Sequence, residues 1–150
     1  MPVSDTVHHW NGTRYQTILS TTETGGALSI TYGEADPFNG PPAHMHDHED
    51  EVFIVLDGEM TFEVGGARFS RGSMGTAFVP RGTPHSFMAG ASGAQCLTVL
   101  TPGGFEGFFA EMARNQFRMP QDLAAVVAIA ARYGSRFTGP GLAQQEVQHA

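Results

Sequence analysis

The chain has 150 residues, 41% of them hydrophobic and 15% charged, and a net charge of −7; this is the make-up of one globular domain over 1–150. The acidic balance, with no basic cluster, excludes a nucleic-acid backbone as partner, because that binding rests on Lys and Arg neutralising phosphates. All eight basic residues are arginine, so no Schiff base with a carbonyl substrate, no pyridoxal phosphate anchor and no P-loop lysine can exist here.

The N-terminal stretch MPVSDTVHHWNG lacks the basic start and apolar run of a secretory leader. The longest apolar run, LAAVVAIAA at 123–131, is too short to span a bilayer. A cytoplasmic protein with no membrane partner is expected. His8 and His9 read as a surface pair.

Short strand-like segments then follow one another through the first hundred residues, at 13–20, 27–33, 51–56, 59–64, 67–70, 75–80, 84–89 and 95–101. Asp57-Gly58 and Gly65-Gly66 are two-residue linkers of the kind that close tight hairpins, where both positions must tolerate positive φ. Pro80-Arg81-Gly82-Thr83 reads as a further turn. Many short antiparallel strands without helices between them predict an all-β sandwich or barrel of the jelly-roll kind over 1–103. Cys96, in AQCLTVL, reads as a small core residue: a lone cysteine forms no intrachain disulfide, and a buried thiol makes a poor nucleophile.

The pattern changes after Pro102, and 104–150 reads as a C-terminal helical appendix. Phe105, Phe108, Phe109 and Met112 recur at helical spacing within 104–116, an apolar stripe that packs against the barrel. A second helix is predicted over 120–134, with Pro120 in its first turn and Gly134 at its end. The tail TGPGLAQQEVQHA is expected to be partly loose, with His149 solvated.

The densest chemistry is HMHDHEDE at 44–51, three histidines and four acids in eight positions. His44 and His46 lie two apart, so on an extended chain both imidazoles leave one face, as two ligands of one ion require. Glu51 follows at an odd offset and joins them only if the chain bends within DHED. Without a bend the aligned set is His44, His46 and His48. Spacing leaves both sets open. From Glu51 onward both faces of the strand are apolar, which predicts burial on both sides. A carboxylate at the start of such a strand needs a partner. His85, opening a strand after Pro84, supplies a further imidazole.

HMHDHEDEVFIVLDGE resembles the first cupin motif, through His44, His46, Glu51 and Gly58. GTAFVPRGTPHSF resembles the second, through Pro80, Gly82 and His85. The likeness extends over nearly the whole chain toward the single-domain quercetin dioxygenase-like cupins, in TGGALSITYGEADPFNGPPAH and LTPGGFEGFFAEM. It implies a jelly-roll β-barrel holding one divalent metal in its mouth by His44, His46, Glu51 and His85, with His48 outside that set. Two positions depart from the pattern. Ala89 stands where the second motif usually ends in asparagine, which makes the inner wall less polar, and Gly72 and Gly75 replace a single glycine before it.

Three imidazoles and a carboxylate suit Fe, Mn, Co, Ni, Cu or Zn. Four protein ligands leave room for water, substrate oxygen or dioxygen. Glu51 can also serve as general base. Phe53, Phe62, Phe87 and Met88 are candidates for the substrate wall or the core beside it, and strand parity favours Phe53 and Phe87 facing in. The resemblance implies a dioxygenase of quercetinase type acting on a flavonol or another enolisable aromatic hydroxy-ketone, with dioxygen as co-substrate. The alternatives are a non-redox cupin enzyme (a cyclase, isomerase or lyase) and a small-molecule-binding sensory cupin without turnover. A homodimer is expected.

Overall fold

The computed structural model describes residues 7–148 and, of 146–148, the backbone only. Nine strands, β1 (Val7–Trp10), β2 (Thr13–Leu19), β3 (Ser29–Ala35), β4 (Ala43–His46), β5 (Asp50–Val64), β6 (Ala67–Arg71), β7 (Thr76–Val79), β8 (His85–Thr101) and β9 (Ser135–Gly139), form one curled antiparallel sheet. Three helices, α1 (Glu106–Asn115), α2 (Leu123–Arg132) and α3 (Leu142–Gln148), lie in the C-terminal part. The all-β expectation with C-terminal helices holds.

The sheet closes on itself because β5 and β8 are long and bent. Their outer halves pair as Glu51↔Leu100 to Val55↔Cys96, and their inner halves as Met60↔Ala89 to Val64↔His85. The outer half of β8 continues into β3, β2 and β1. The inner half continues through His44↔His85 into β4 and then β9. Two walls thus face each other across one core, sharing their two longest strands.

This corrects the hairpin expected at Asp57-Gly58. The segments 51–56 and 59–64 are one strand, as are 84–89 and 95–101. The pairing slips at Val55/Asp57 and at Gly58/Met60, so the glycine serves a bulge that bends the strand without ending it. Gly58 has φ 78°, and a Cβ there would stand 2.3 Å from the Gly93 carbonyl oxygen. Gly65-Gly66 does close a hairpin, between Val64 and Ala67, with φ 55° and 88°.

Burial on β5 is also one-sided. Glu51, Phe53 and Val55 are buried, whereas Val52, Ile54 and Leu56 on the other face are half-buried. The barrel core is Phe53, Val55, Met60, Phe62, Ala77, Val79, Ala89 and Ala94. A second core joins Trp10 and Leu100 to Phe105, Phe108 and Met112 of the α1 region and Val126 and Ala130 of α2, so the aromatic stripe packs on the barrel as its spacing predicts. Each such ring contributes about 1.5–3 kcal/mol by leaving water. Hydrogen bonds fix the docking: Glu106 accepts from the Thr21 amide (2.7 Å) and hydroxyl (2.6 Å), and Trp10 Nε1 donates to the Phe117 carbonyl (2.8 Å).

The tail is more ordered than its composition suggests. Ser135–Gly139 pairs with β4 as β9, and Leu142 of α3 is fully buried beside Met88. The tail's His149 lies outside the described residues.

Candidate metal centre and cavity

The acids and histidines of 44–51 divide between structure and site. β4 ends at His46 and a bend occupies Asp47 and His48 before β5 begins. Arg136 of β9 holds Asp47 at 2.9 Å, and the Asp47 amide donates to the Gly134 carbonyl at 2.8 Å. On the other side Asp50 accepts from the Arg81 amide at 2.9 Å and pairs with its guanidinium at 3.2 Å. Arg81 keeps Asp50 below the usual carboxylate range. These anchors fix the bend, so Glu51 turns inward despite its odd offset from His46. His48 is exposed, packed against Gly134 away from the other imidazoles. The bent alternative is therefore the one the fold adopts.

His44, His46 and His85 each offer a ring nitrogen, and these lie within 4.8 Å of one another. Glu51 Oε2 sits 3.3 Å from His46 Nε2 and 3.1 Å from His85 Nε2. His46, His85 and Glu51 are only 3–5% exposed. Two imidazoles are oriented by backbone: His44 Nδ1 donates to the Pro42 carbonyl and His85 Nδ1 to the Thr83 carbonyl, both at 2.9 Å. That fixes the tautomer and leaves each Nε2 with its lone pair toward the cluster.

Electrostatics matches this geometry. Burial, with His85 and His46 nearby, depresses His44 to about 3, so its imidazole is neutral. Burial alone would raise the Glu51 carboxyl, but His46 and His85 beside it outweigh that and hold it well below the usual range. Burial likewise opposes a charge on His85, and Glu51 with the Thr83 carbonyl overcomes it, raising its pKa.

The contacts at 3.1 and 3.3 Å are close approaches of a carboxylate oxygen to ring nitrogens, not aimed hydrogen bonds: neither Glu51 Oε2 nor His85 Nε2 has a hydrogen-bond partner. Buried polar atoms without partners are costly. A divalent transition-metal ion among them would satisfy both, and mixed nitrogen and oxygen donors are the set such an ion takes. The clustered histidines can hold a metal ion.

The cluster opens on a cavity of about 1020 Å³, its mouth included. Phe53 and Phe87 line it, as parity predicts. Phe62 does not; it lies behind them, 5.3 Å from Phe53 and 6.3 Å from Phe87 between ring centroids. Met88 faces the opposite way, toward Leu142 and Ala143, because adjacent residues of β8 point to opposite faces. Ala89 is fully buried in the core.

Much of the wall was not among the sequence-derived candidates. Tyr15, Thr31, Cys96 and Thr98 line it from β2, β3 and β8. Gly33 separates Tyr15 from Cys96 in the register, keeping that wall open. Phe105, Phe109 and Phe137 close it from the C-terminal elements. Phe105 sets its ring edge-on to His46, with centroids 4.5 Å apart, and Phe109 stacks on Tyr15 at 4.2 Å. The inward faces of β2 and β3, and the helical aromatic stripe, were the available signals. Among the described residues lining the cavity, Glu51 is the one acid and there is no arginine.

Comparison with known proteins agrees with this architecture. Residues 33–100 match the Cupin domain family. Quercetin 2,3-dioxygenase of Bacillus subtilis (strain 168) is 26% identical over 95 residues, covering 63% of this chain and 28% of that enzyme. The chain thus matches well under half of the dioxygenase's length. Among solved structures, an RmlC-like cupin from Shewanella frigidimarina NCIMB 400 superposes with a TM-score of 0.61 at 16% identity, over 71% of this chain and 92% of that one. The polyketide cyclase RemF from Streptomyces resistomycificus gives a TM-score of 0.55 at 25% identity, over 68% and 77%. Residues 33–100, the part matched by the Cupin domain family, carry two histidines and a glutamate on β4 and β5 and a third histidine opening β8, and the curled sheet around them has the fold of the cupin structure it superposes on.

Proposed function

We propose that this protein is a metal-dependent dioxygenase of quercetinase type, acting on a flavonol or another enolisable aromatic hydroxy-ketone. His44, His46, His85 and Glu51 would hold one divalent transition metal. The observation that carries the reading is the Glu51 carboxylate: ionised, buried, with Oε2 lacking a hydrogen-bond partner, and lining an aromatic cavity. A bound metal supplies Lewis acidity and a template for substrate oxygens.

The chain's own residues account for the rest. Phe53, Phe87, Phe109 and Phe137 offer flat apolar surface to an aromatic ring and exclude water. Glu51 Oε2 accepts the substrate's hydroxyl proton as general base; with His46 and His85 beside it, it is ionised before substrate arrives. The neutral phenol of Tyr15 lies on the same cavity wall, able to meet a substrate oxygen.

The test is oxygen uptake by metal-loaded protein with a flavonol. Consumption with ring opening supports the reading; no uptake by fully loaded protein overturns it. Glu51→Gln is expected to abolish turnover while metal analysis still finds substantial bound metal. Equal loss of both would leave Glu51 as a ligand only.

One observation favours a second reading. RemF, a polyketide cyclase, shares the fold, and the same cavity and base suit a non-redox cyclisation of an aromatic polyketone. Substrate conversion without oxygen consumption would select it.

The proposal includes a homodimer. Phe78, Val52, Val99, Ile30 and Leu19 stand opposite one another across five strands on the outward face of the sheet. Phe78 is 58% exposed. This outward apolar row, half-buried apart from Phe78, is the surface a second copy would cover.

A further inference from the structure

His46 differs from its two partners in one respect. His44 and His85 each have Nδ1 tied to a backbone carbonyl, whereas His46 Nδ1 is buried and has no hydrogen-bond partner. The nearest anionic group is the side chain of Glu49, whose Oε2 lies 3.8 Å away. That oxygen is also buried and also without a partner. Two complementary atoms, His46 Nδ1 and Glu49 Oε2, therefore face each other across a small gap, each without a hydrogen-bond partner.

The surroundings leave little choice of partner. The Phe105 ring covers His46 edge-on and carries no oxygen acceptor, and its backbone carbonyl is taken by the Phe108 amide at 2.9 Å. The His46 carbonyl is taken by the Gly82 amide at 2.7 Å. Glu49 itself is held between two anchored neighbours, Asp47 on Arg136 and Asp50 on Arg81. Nor is Glu49 placed to join the cation: it approaches Nδ1, while Glu51 approaches Nε2 of the same ring.

We infer that Glu49 is a positioning residue, whose carboxylate accepts a hydrogen bond from Nδ1–H of His46 and so aims the Nε2 lone pair at the metal. It does for His46 what the Pro42 and Thr83 carbonyls do for His44 and His85. A carboxylate in that place also makes the imidazole a stronger donor, an effect commonly worth 10–100-fold in metal affinity. The inference rests on the metal reading of the site and adds a residue to it.

The experiment measures Co²⁺ and Zn²⁺ affinity of the full-length apo chain by competition with a chelator, for wild type, Glu49→Gln and Glu49→Ala. Apo-protein melting and the Co²⁺ ligand-field spectrum are recorded alongside. The expected result is a graded loss, about 10-fold for Gln, which still offers an acceptor oxygen, and up to about 100-fold for Ala. The Co²⁺ spectrum should shift in both variants, and the apo melting temperature should not fall. Wild-type affinity in both variants overturns the role of Glu49 and leaves the metal site standing. A lower apo melting temperature with unchanged affinity makes Glu49 structural and overturns it too. Failure of the wild-type chain to bind either ion overturns the metal reading itself, and this inference with it.

Discussion

Tyr15 shows how much the cavity alters a single side chain. Burial lifts its phenol to about 12, while a hydrogen bond with Thr13 works the other way. Tyr32 and Tyr133 are raised as well, burial again leading. In the unfolded chain a phenol ionises near 10. The fold therefore binds this proton more tightly, and the stability present below pH 10 is lost as pH climbs toward 12, by up to about 3 kcal/mol for Tyr15. A near-ultraviolet titration of tyrosinate is expected to show all three phenols ionising late, and Tyr15→Phe should remove the last step. A titration ending near pH 10 would mean that water reaches the ring freely. Neither the position of Tyr15 on the wall nor its raised pKa was legible in TRYQTILS, because both depend on β3 and β8 lying alongside. The clustering of His44, His46 and His85 was legible in residue type and in the resemblance, but spacing alone left Glu51 and His48 as alternatives, and the bend that turns Glu51 inward depends on Arg136 and Arg81 from distant elements.

Among the elements, the long strands are where local sequence misleads. Asp57-Gly58 has the composition of a hairpin, and so does Gly65-Gly66, yet only the second turns the chain. The difference is long-range: Gly58 meets the Gly93 backbone of β8, so its positive φ is spent bending a strand already paired on that side. Gly58→Ala is expected to cost about 2 kcal/mol or more, from the strained φ and the collision with the Gly93 carbonyl. Urea denaturation measures it; an unchanged midpoint would mean that a true, adaptable turn sits there. The same reasoning explains β9. Nothing in SRFTG announces a strand until β4, with one edge otherwise open, is placed beside it. Glu49 was passed over for a related reason: in HED it is one acid among four, and only the bend shows which imidazole each acid faces.

Among the described residues, apolar side chains gather in the barrel core, in the second core under the helices, in a small cluster of Met88 with Leu142 and Ala143, and in the outward row from Phe78 to Leu19. The buried clusters are covered by the chain itself. The outward row is the surface assigned above to a second copy, and sedimentation equilibrium of wild type and Phe78→Asp tests it. Dimeric wild type and a monomeric, folded variant are expected; monomeric wild type would remove the homodimer from the proposal. Among the described residues no helix is long and apolar enough to cross a membrane, in line with the short run at 123–131.

The strand that carries His44 and His46 is flanked by β8 on one side and by β9 on the other, and β9 also brings Arg136 to the bend and Phe137 to the cavity. Without β9 that histidine-bearing edge would be bare, with Asp47 lacking its guanidinium and the ring of Phe137 missing from the enclosure. The enclosure of the histidine cluster is thus complete only with residues 135–139 docked against β4.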